Sequence, residues 1–375
     1  MDHFITNYNI ECPPGAVSAV LEDSIMQKGR PVTAGSKILE NFVSPIDATV
    51  VARLEAAEVT ILGKTKMDEF GIAGLLPGSN ANDSGAVSAV ADGAAVIALC
   101  NDYSGAVRKQ AVERGVCYIH PTYGTVSRYG LIPAVLSMDQ IGVVCKTPDD
   151  GFRALSVIAG FDPKDGAMLF RELSADDNDK TKPGSGRLKL GVPVNAFEKA
   201  MDSTVVAEFA RNFMTVDFEL KYFDVYAQVM RILCFAEISS NLTRYDGIKF
   251  GYRAGGYGNL HELYTKSRTE ALGTDAKLAS MLGAMILAQG SYDKYYDKAM
   301  RIRRLIKDSL DFEKFDMIVM PATGVDPDDR IALHALPQLC GLPAITVPYH
   351  GSGITLIAAA GKDVVLFEAL KAVTL

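Results

Sequence analysis

One turn of the sequence has the composition of a site that presents a reactive side chain. The segment 100–109, CNDYSGAVRK, follows a run of small and apolar residues over 85–99 and contains Ser104, Gly105 and Ala106 in succession. Such a turn often exposes a nucleophile at the start of the next helix. Because Ala106 carries only a methyl group, the turn predicts the architecture of a catalytic site without an attacking atom.

Other polar residues could have taken over such chemistry. Ser104, Ser84 and Ser88 carry hydroxyl groups, and Lys28 or Lys37 would be the amine that activates one of them. The alternative is structural, with Ser104 as a turn residue and Ser84 as a helix cap, which are common roles for serine. The structural roles are favoured, since a relocated mechanism requires a hydroxyl and an amine to move together.

Acidic, cysteine and histidine residues give no pattern typical of a metal site. Glu22 and Asp23 are adjacent, and neighbouring side chains usually point apart, so we interpret them as solvated surface and not as a carboxylate pair or cation site. The six cysteines form no CxxC pair and the five histidines form no HxxxH unit. The sequence therefore predicts buried thiols, no disulfide framework and no metal or other cofactor.

Hydrophobic periodicity predicts the elements that must position the turn. Strands alternate with helices along most of the chain, which favours a central mixed, mostly parallel sheet covered by helices on both faces. The polar segment 171–186 is interpreted as a linker inside a single domain, 1–375. The predicted helices lie within 45–57, 85–99, 147–160 and 281–310, and the predicted strands within 59–65, 116–120, 187–194, 315–323 and 343–350.

Length and charge limit the classes of function. The chain has 375 residues, is 48% hydrophobic and carries a formal net charge of −7. A general nucleic-acid-binding surface is not indicated by this balance. The first residues lack the pattern of a signal peptide, and no apolar run approaches the roughly 18 residues of a membrane span. We expect a cytoplasmic protein.

Seven phrases, in order, resemble the amidase-signature family. They include GSKILENFVSPIDATVV at 35–51, GKTKMDEF at 63–70, HPTYGTVSRYGLI at 120–132 and GLPAITVP at 341–348. The resemblance extends from about residue 15 to about residue 350 and is greatest to the glutaminase (A) subunits of tRNA-dependent amidotransferases. It implies an amidase-signature α/β fold and amide hydrolysis by a nucleophilic Ser, a second Ser and a neutral Lys.

The resemblance also implies which residues occupy the three catalytic positions. EDSIMQKG places Glu22 at the Lys position, ANDSGAV places Asn82 at the second Ser, and DYSGAVR places Ala106 at the nucleophile. Ala106 has no lone pair, Asn82 cannot relay a proton as a hydroxyl does, and the charge of Glu22 opposes a developing oxyanion. None of the three positions keeps a residue suited to its catalytic role, so no catalytic residue is predicted. If the protein is an enzyme after all, Ser104 is the candidate nucleophile.

Further departures concern the substrate side of the site. Ser104 stands where the family has Gly, which threatens the turn if that position requires a positive φ. The loop 71–80 is shorter than in the family, and the segments before 22 and after 348 are reduced. Tyr252 and Arg303 resemble positions that hold the glutamine side of the pocket, and Arg is suited to a carboxylate; Asp326 is the nearest candidate for a third such residue. Both residues also have a structural alternative. The segment FGYR, which contains Tyr252, would then only pack, and the Arg-rich helix that contains Arg303 would be a solvated face.

The sequence therefore supports two hypotheses. The first is a catalytically degenerate amidase homologue that acts as a binding, scaffold or regulatory protein, with amidotransferase B- and C-type subunits or a small amide such as glutamine as partners. The second is an amide hydrolase that works through relocated residues such as Ser104 or Glu22. A decaying duplicate is a third possibility that the sequence does not separate from the first.

Overall fold

A computed structural model describes residues 3–76, 84–169, 188–201, 203–371 and 373. Eleven strands of this part of the chain form one sheet in the order β1-β3-β2-β4-β6-β5-β10-β11-β9-β7-β8. The strands are β1 Phe4–Asn7, β2 Ser18–Glu22, β3 Thr60–Thr65, β4 Ile97–Asn101, β5 Cys117–His120, β6 Ile141–Cys145, β7 Lys189–Pro193, β8 Met214–Phe218, β9 Met317–Pro321, β10 Ala344–Tyr349 and β11 Ser352–Ala358.

Twelve α-helices lie among the described residues beside this sheet. They are α1 Thr49–Ala56, α2 Gly85–Ala91, α3 Ala106–Glu113, α4 Pro148–Ile158, α5 Val194–Phe197, α6 Ser203–Ala210, α7 Tyr226–Leu242, α8 Leu260–Ala271, α9 Thr274–Leu287, α10 Lys298–Asp308, α11 Pro327–Cys340 and α12 Asp363–Lys371. None of the described helices combines the length and the apolar composition that crossing a membrane requires.

Helices cover both faces of the sheet because successive strand residues point to opposite sides. In β2, Ala19 and Leu21 pack into a core with α1, α4, α6 and α12. Val20 instead packs with α2 and α3 on the other face, where α7, α9 and α11 form the largest core. The predicted α/β architecture with two covered faces is confirmed.

The prediction that the sheet is mostly parallel is wrong. Six of the ten strand pairings in the described part of the chain are antiparallel. The physical reason is that β5 and β6 follow each other without an intervening helix, as do β10 and β11, and a strand that returns without a crossover pairs antiparallel. The sheet is mixed, with the parallel pairs near its two ends.

Two predicted helices are divided in the structure. The run 85–99 is not one buried helix, because α2 ends at Ala91 and β4 begins at Ile97. The run 281–310 contains the end of α9, a turn at Gly290 with φ of 84° and a separate α10. The predicted linker 171–186 lies outside the described residues.

Candidate functional site

The turn that resembles a nucleophile-bearing turn connects β4 to α3. Helix α3 begins at Ala106, and Gly105 precedes it in the left-handed region with φ of 82°. A Cβ added to Gly105 would lie 2.4 Å from the Cβ of His334, so glycine is required both by conformation and by space. Ser104 has no positive φ, and the backbone strain expected for a serine at this position is therefore not found.

Ala106 and Glu22 face the same small cavity. The cavity has a volume of about 40 Å³ and is also lined by Ser84 and Ser104. A water molecule needs roughly 10–15 Å³ of such cavity volume, so the space is sufficient for a few water molecules. The end of β2 and the start of α3 are thus brought together, 84 positions apart in the sequence, without a nucleophile between them.

Glu22 is a buried carboxyl group at the end of β2. Its side chain is 3% exposed, and its Oε1 accepts hydrogen bonds from Ser24 Oγ at 2.5 Å and from the Asn101 N–H at 3.3 Å. Burial raises the pKa of Glu22 to about 7, and the nearby charges of Asp102 and Asp23 add to this, although the two hydrogen bonds oppose it. Near neutral pH this group is divided between its acid and its carboxylate forms.

Asp23 is also buried, and the interpretation of Glu22 and Asp23 as solvated surface is wrong. Asp23 is 2% exposed and accepts hydrogen bonds from the N–H and the hydroxyl of Thr33. Lys64 on β3 is fully buried, and its Nζ donates to the Ile25 carbonyl. Burial lowers the pKa of Lys64 to about 8, against the opposing influence of Asp23 and Glu22.

A buried ion pair between Asp102 and Arg108 holds the turn in place. Asp102 Oδ2 accepts hydrogen bonds from the backbone N–H of Arg108 at 3.1 Å and from its Nε at 3.2 Å. Both side chains are almost completely buried, where removing one partner would leave an uncompensated charge. The pair holds the strand end and the first turn of α3 in one geometry.

Helix α11 packs against the turn without lining the cavity itself. Arg330, His334 and Gln338 are spaced by four residues and lie on one face of this helix. Arg330 Nη2 donates to the Gly74 carbonyl at 3.0 Å, and Gln338 Nε2 donates to the Asp102 carbonyl at 3.0 Å. His334 packs against the Gly105 position and contacts the Ala322 carbonyl through Nε2; burial lowers the pKa of His334 to about 3, so its ring is neutral.

The profile of the Amidase family matches residues 16–75 and 81–350 of this chain. The chain belongs to the amidase family. The interruption at 76–80 falls within the loop 71–80 that the sequence indicates to be short.

Amidotransferase proteins of this family are similar to the chain over most of its length. The A-type subunit of glutamyl-tRNA(Gln) amidotransferase from Lachnoclostridium phytofermentans is 38% identical, over 84% of this chain and 68% of the relative. The corresponding protein of Trichodesmium erythraeum is 34% identical, over 94% of this chain and 82% of the relative. The crystal structure of the Thermotoga maritima protein superposes with a TM-score of 0.75 at 26% identity, covering 99% of this chain and 86% of the other.

The amidase fold brings two of the three inferred catalytic positions to one cavity, those of Glu22 and Ala106. The third, Asn82, lies outside the described residues. Ser84 acts as the N-cap of α2, since its Oγ accepts the hydrogen bond of the Val87 N–H. Ser104 Oγ accepts a hydrogen bond from the Ala106 N–H at 3.4 Å.

The two lysines considered as relocated bases do not line the cavity. Lys28 is exposed and borders a surface groove with Lys164. The Nζ of Lys37 lies 4.4 Å from the ring centre of Tyr252. The described residues therefore contain no hydrogen bond between Ser104 Oγ and a lysine amine.

Tyr252 and Arg303 lie at different places in the structure. The Tyr252 hydroxyl donates to the Glu270 carboxylate. Arg303 lines a second cavity, of about 370 Å³. Its Nε donates to the Leu339 carbonyl at 2.7 Å and its Nη1 to Ser137 Oγ at 2.9 Å.

The structure gives Asp326 a capping role and places on α11 two residues near the turn that the sequence did not single out. Asp326 caps α11, because its side chain accepts the hydrogen bond of the Asp329 N–H at 2.8 Å. Arg330 and His334, which contact the turn and its surroundings, were not singled out. Their spacing of four residues on a helix that Gly341 caps was the available signal, but it does not show which partner the helix covers.

Proposed function

We propose that this amidase homologue does not hydrolyse amides and acts instead as a binding or scaffold protein. The observation that carries the proposal is the methyl group of Ala106 at the start of α3, in the cavity shared with Glu22. A methyl group cannot attack a carbonyl carbon, and losing the nucleophile typically costs about 10⁶-fold in kcat. Glu22 in its carboxylate form would repel the negative charge of a tetrahedral intermediate.

The alternative is an amide hydrolase in which Ser104 attacks. Its support is that Ser104 lines the same cavity. Two observations speak against it. The Ala106 N–H, which a family member would direct at an oxyanion, donates to Ser104 Oγ, and no described lysine, histidine or carboxylate forms a hydrogen bond with that hydroxyl. A serine without a base remains a weak nucleophile.

The binding function is assigned to the second cavity and to Arg303. At about 370 Å³ this cavity falls within the usual range for small-molecule sites, whereas the one below Ala106 does not. Arg303, Arg304 and Lys307 line it, and no Asp or Glu does among the described residues. The positive charge of this lining favours a small ligand with a carboxylate, such as glutamine. Tyr252, which has the Glu270 contact, lacks such support.

The partners proposed are B- and C-type amidotransferase subunits. The support is the identity to A-type subunits of glutamyl-tRNA(Gln) amidotransferase over more than four fifths of this chain. A protein that keeps the fold while losing turnover could occupy the place of the active one in such a complex. The scaffold role therefore predicts association without ammonia release.

A glutaminase assay separates the two functions. Purified protein, alone and with B- and C-type subunits, is incubated with glutamine, and an electrophilic amide or sulfonyl probe is followed by intact mass. We expect no ammonia above the blank and no adduct. Ammonia release that survives repurification and is lost in Ser104→Ala would overturn the proposal and establish the alternative.

Binding is tested separately by calorimetry and co-elution. Glutamine is titrated into the wild type, into Arg303→Met and into Arg301→Met; Arg301 lies on the same helix but its side chain is 77% exposed and paired with Asp297. We expect Arg303→Met alone to lose binding, by tenfold or more. Absence of both glutamine binding and co-elution with the B- and C-type subunits would contradict a binding or scaffold role.

A further inference from the structure

Two cysteines lie directly opposite each other on neighbouring strands of the sheet. In the antiparallel pair of β5 and β6, Cys117 is the register partner of Cys145. Both side chains point to the same face of the sheet, since both belong to the core that α1, α4, α6 and α12 cover. The six cysteines of the chain are all free thiols in this structure. The strand pairing therefore brings two of these thiols together.

The spacing of the two residues suits a disulfide bond. Opposed residues of antiparallel strands have Cα atoms about 4.5–5.5 Å apart, and disulfides usually join Cα atoms about 4.4–6.8 Å apart. The Cys117 Sγ lies 3.8 Å from the carbonyl oxygen of Lys146, the residue after Cys145. Contact with the Cys117 thiol, together with burial, raises the pKa of Cys145 well above its ordinary value. A bond between the two sulfurs thus requires no change of strand register.

The two thiols are buried but lie at the end of the sheet. Cys117 is the first residue of β5 and Cys145 the last of β6, and Lys146 and Thr147, which follow directly, are exposed. The first turn of α4 covers the sulfurs, because a Cβ added to Gly151 would lie 2.6 Å from the Cys145 Sγ. Buried thiols react slowly. An oxidant that reaches this pair must therefore be small, which favours hydrogen peroxide over a bulky disulfide.

We propose that hydrogen peroxide oxidises Cys117 and Cys145 to a reversible disulfide that fastens β5 to β6. The sulfur of one cysteine attacks the O–O bond of the peroxide, which gives a sulfenic acid and one water. The thiol of the other cysteine attacks that sulfur, so that the S–S bond forms and the sulfenic oxygen leaves as a second water. Two thiols are oxidised and the peroxide is reduced to water. A thiol reductant restores both cysteines.

The disulfide would close residues 118–144 into a covalent loop. This segment supplies Thr122, Tyr123 and Ser137 to the second cavity, so the bond would tie together the two strands that carry part of its lining. A cross-link stabilises mainly by restricting the unfolded chain. We therefore expect the oxidised protein to unfold at a midpoint roughly 2–6 °C above that of the reduced protein. The inference is independent of the proposed function, because the bond forms whether or not the protein hydrolyses amides.

Peptide mapping of the intact, folded protein tests the bond. After hydrogen peroxide treatment and removal of the excess with catalase, the remaining thiols are blocked with N-ethylmaleimide in denaturant. Trypsin cuts after Arg114, Arg128 and Lys146, so the two cysteines fall in separate peptides, 115–128 and 129–146. We expect mass spectrometry to find these two peptides joined, and to find them separate after dithiothreitol. The midpoint of the peroxide-treated protein should fall when dithiothreitol is added before melting.

Single substitutions decide whether the response belongs to this pair. Cys145→Ala removes one of the two sulfurs, so we expect neither the joined peptides nor an effect of dithiothreitol on the midpoint. Cys100→Ala is the matched control, because Cys100 is a buried cysteine on the neighbouring strand β4, opposite Gly142 of β6. This variant should keep both responses. If Cys145→Ala does not fold, Cys117→Ala carries the same test.

Two results would overturn the proposal. Absence of the joined peptides in wild-type protein whose exposed Met281 has been oxidised would show that the peroxide acted and the pair did not respond. A midpoint that dithiothreitol leaves unchanged, in protein that carries the bond, would show that the bond does not fasten the strands. Neither result would alter the expected outcome of the glutaminase assay, so the two proposals fail separately.

Discussion

Replacing Gly105 by alanine should destabilise the protein strongly, because two costs coincide at this residue. Its φ of 82° lies in the left-handed region, where an L-residue with a Cβ pays about 1–2 kcal/mol. The added methyl would also lie 2.4 Å from His334 Cβ and 2.8 Å from its Cγ. Overpacking in a buried region typically costs about 1–3 kcal/mol. We therefore expect Gly105→Ala to lower the free energy of unfolding by about 2–5 kcal/mol.

Gly115→Ala is the matched control at the other end of the same helix. Gly115 follows α3 with φ of 69°, and an added Cβ would meet no atom within 4 Å. It should therefore pay the conformational cost alone, about 1–2 kcal/mol. Urea unfolding of both variants and the wild type, followed by fluorescence and circular dichroism, gives the two differences.

The comparison isolates the contact between the turn and α11. If the two variants lose the same free energy within about 0.5 kcal/mol, His334 does not pack against the turn and the contact between α11 and Gly105 is wrong. If Gly115→Ala is the more destabilised variant, the assignment of the left-handed cap at Gly105 is also refuted.

Three further predictions concern charge and hydrogen bonding. The folded pKa of Glu22, about 7, exceeds its ordinary value of 4.5, so the wild type should lose about 3 kcal/mol of stability as the pH rises between these values. Glu22→Gln should remove this loss. Urea unfolding of both proteins at pH 4.5 and 8 in choline chloride measures it. Burial would raise the pKa of Asp165, but hydrogen bonds from Arg128 lower it to about 2; its stabilisation is present above pH 3.8 and lost as pH falls through 2. Asp165→Asn should therefore cost about 1–3 kcal/mol at pH 7 and less at pH 2, and an equal cost at both would contradict the pairing. Ser104→Ala removes one acceptor, for the Ala106 N–H at 3.4 Å, and should cost no more than about 1 kcal/mol in thermal unfolding; a loss above 3 kcal/mol would give Ser104 a larger role.

Local signals predicted individual elements well. The helix that starts after Thr147 has its cap within the segment itself, since the Thr147 side chain accepts the Asp150 N–H. The strands β9 and β10 are apolar runs that contain or end in proline. Strand direction was predicted less well, because it depends on which distant strand becomes the neighbour. In β6, for example, both neighbours, β4 and β5, pair antiparallel.

The site was predictable only where a family pattern supplied its register. Glu22 and Ala106 were placed at two catalytic positions by their surrounding phrases, and the structure brings both to one cavity. The burial of Asp23 was not predictable from the sequence, because it requires Thr33 and β3 to cover the end of β2. His334 was missed for a related reason: its partner, Gly105, is far away in the sequence and contributes no side chain.

The size of the cavity beside Ala106 bears on how readily such a protein could regain chemistry during evolution. Reversion of Glu22, Asn82 and Ala106 would return the three inferred reacting groups, yet the space beside them would be no larger than about 40 Å³. A substrate of glutamine's size needs several times that room. Widening it means losing buried contacts that stabilise the fold, before any catalytic benefit exists. In the inactive protein proposed above, the packing around this cavity would thus oppose the recovery of turnover.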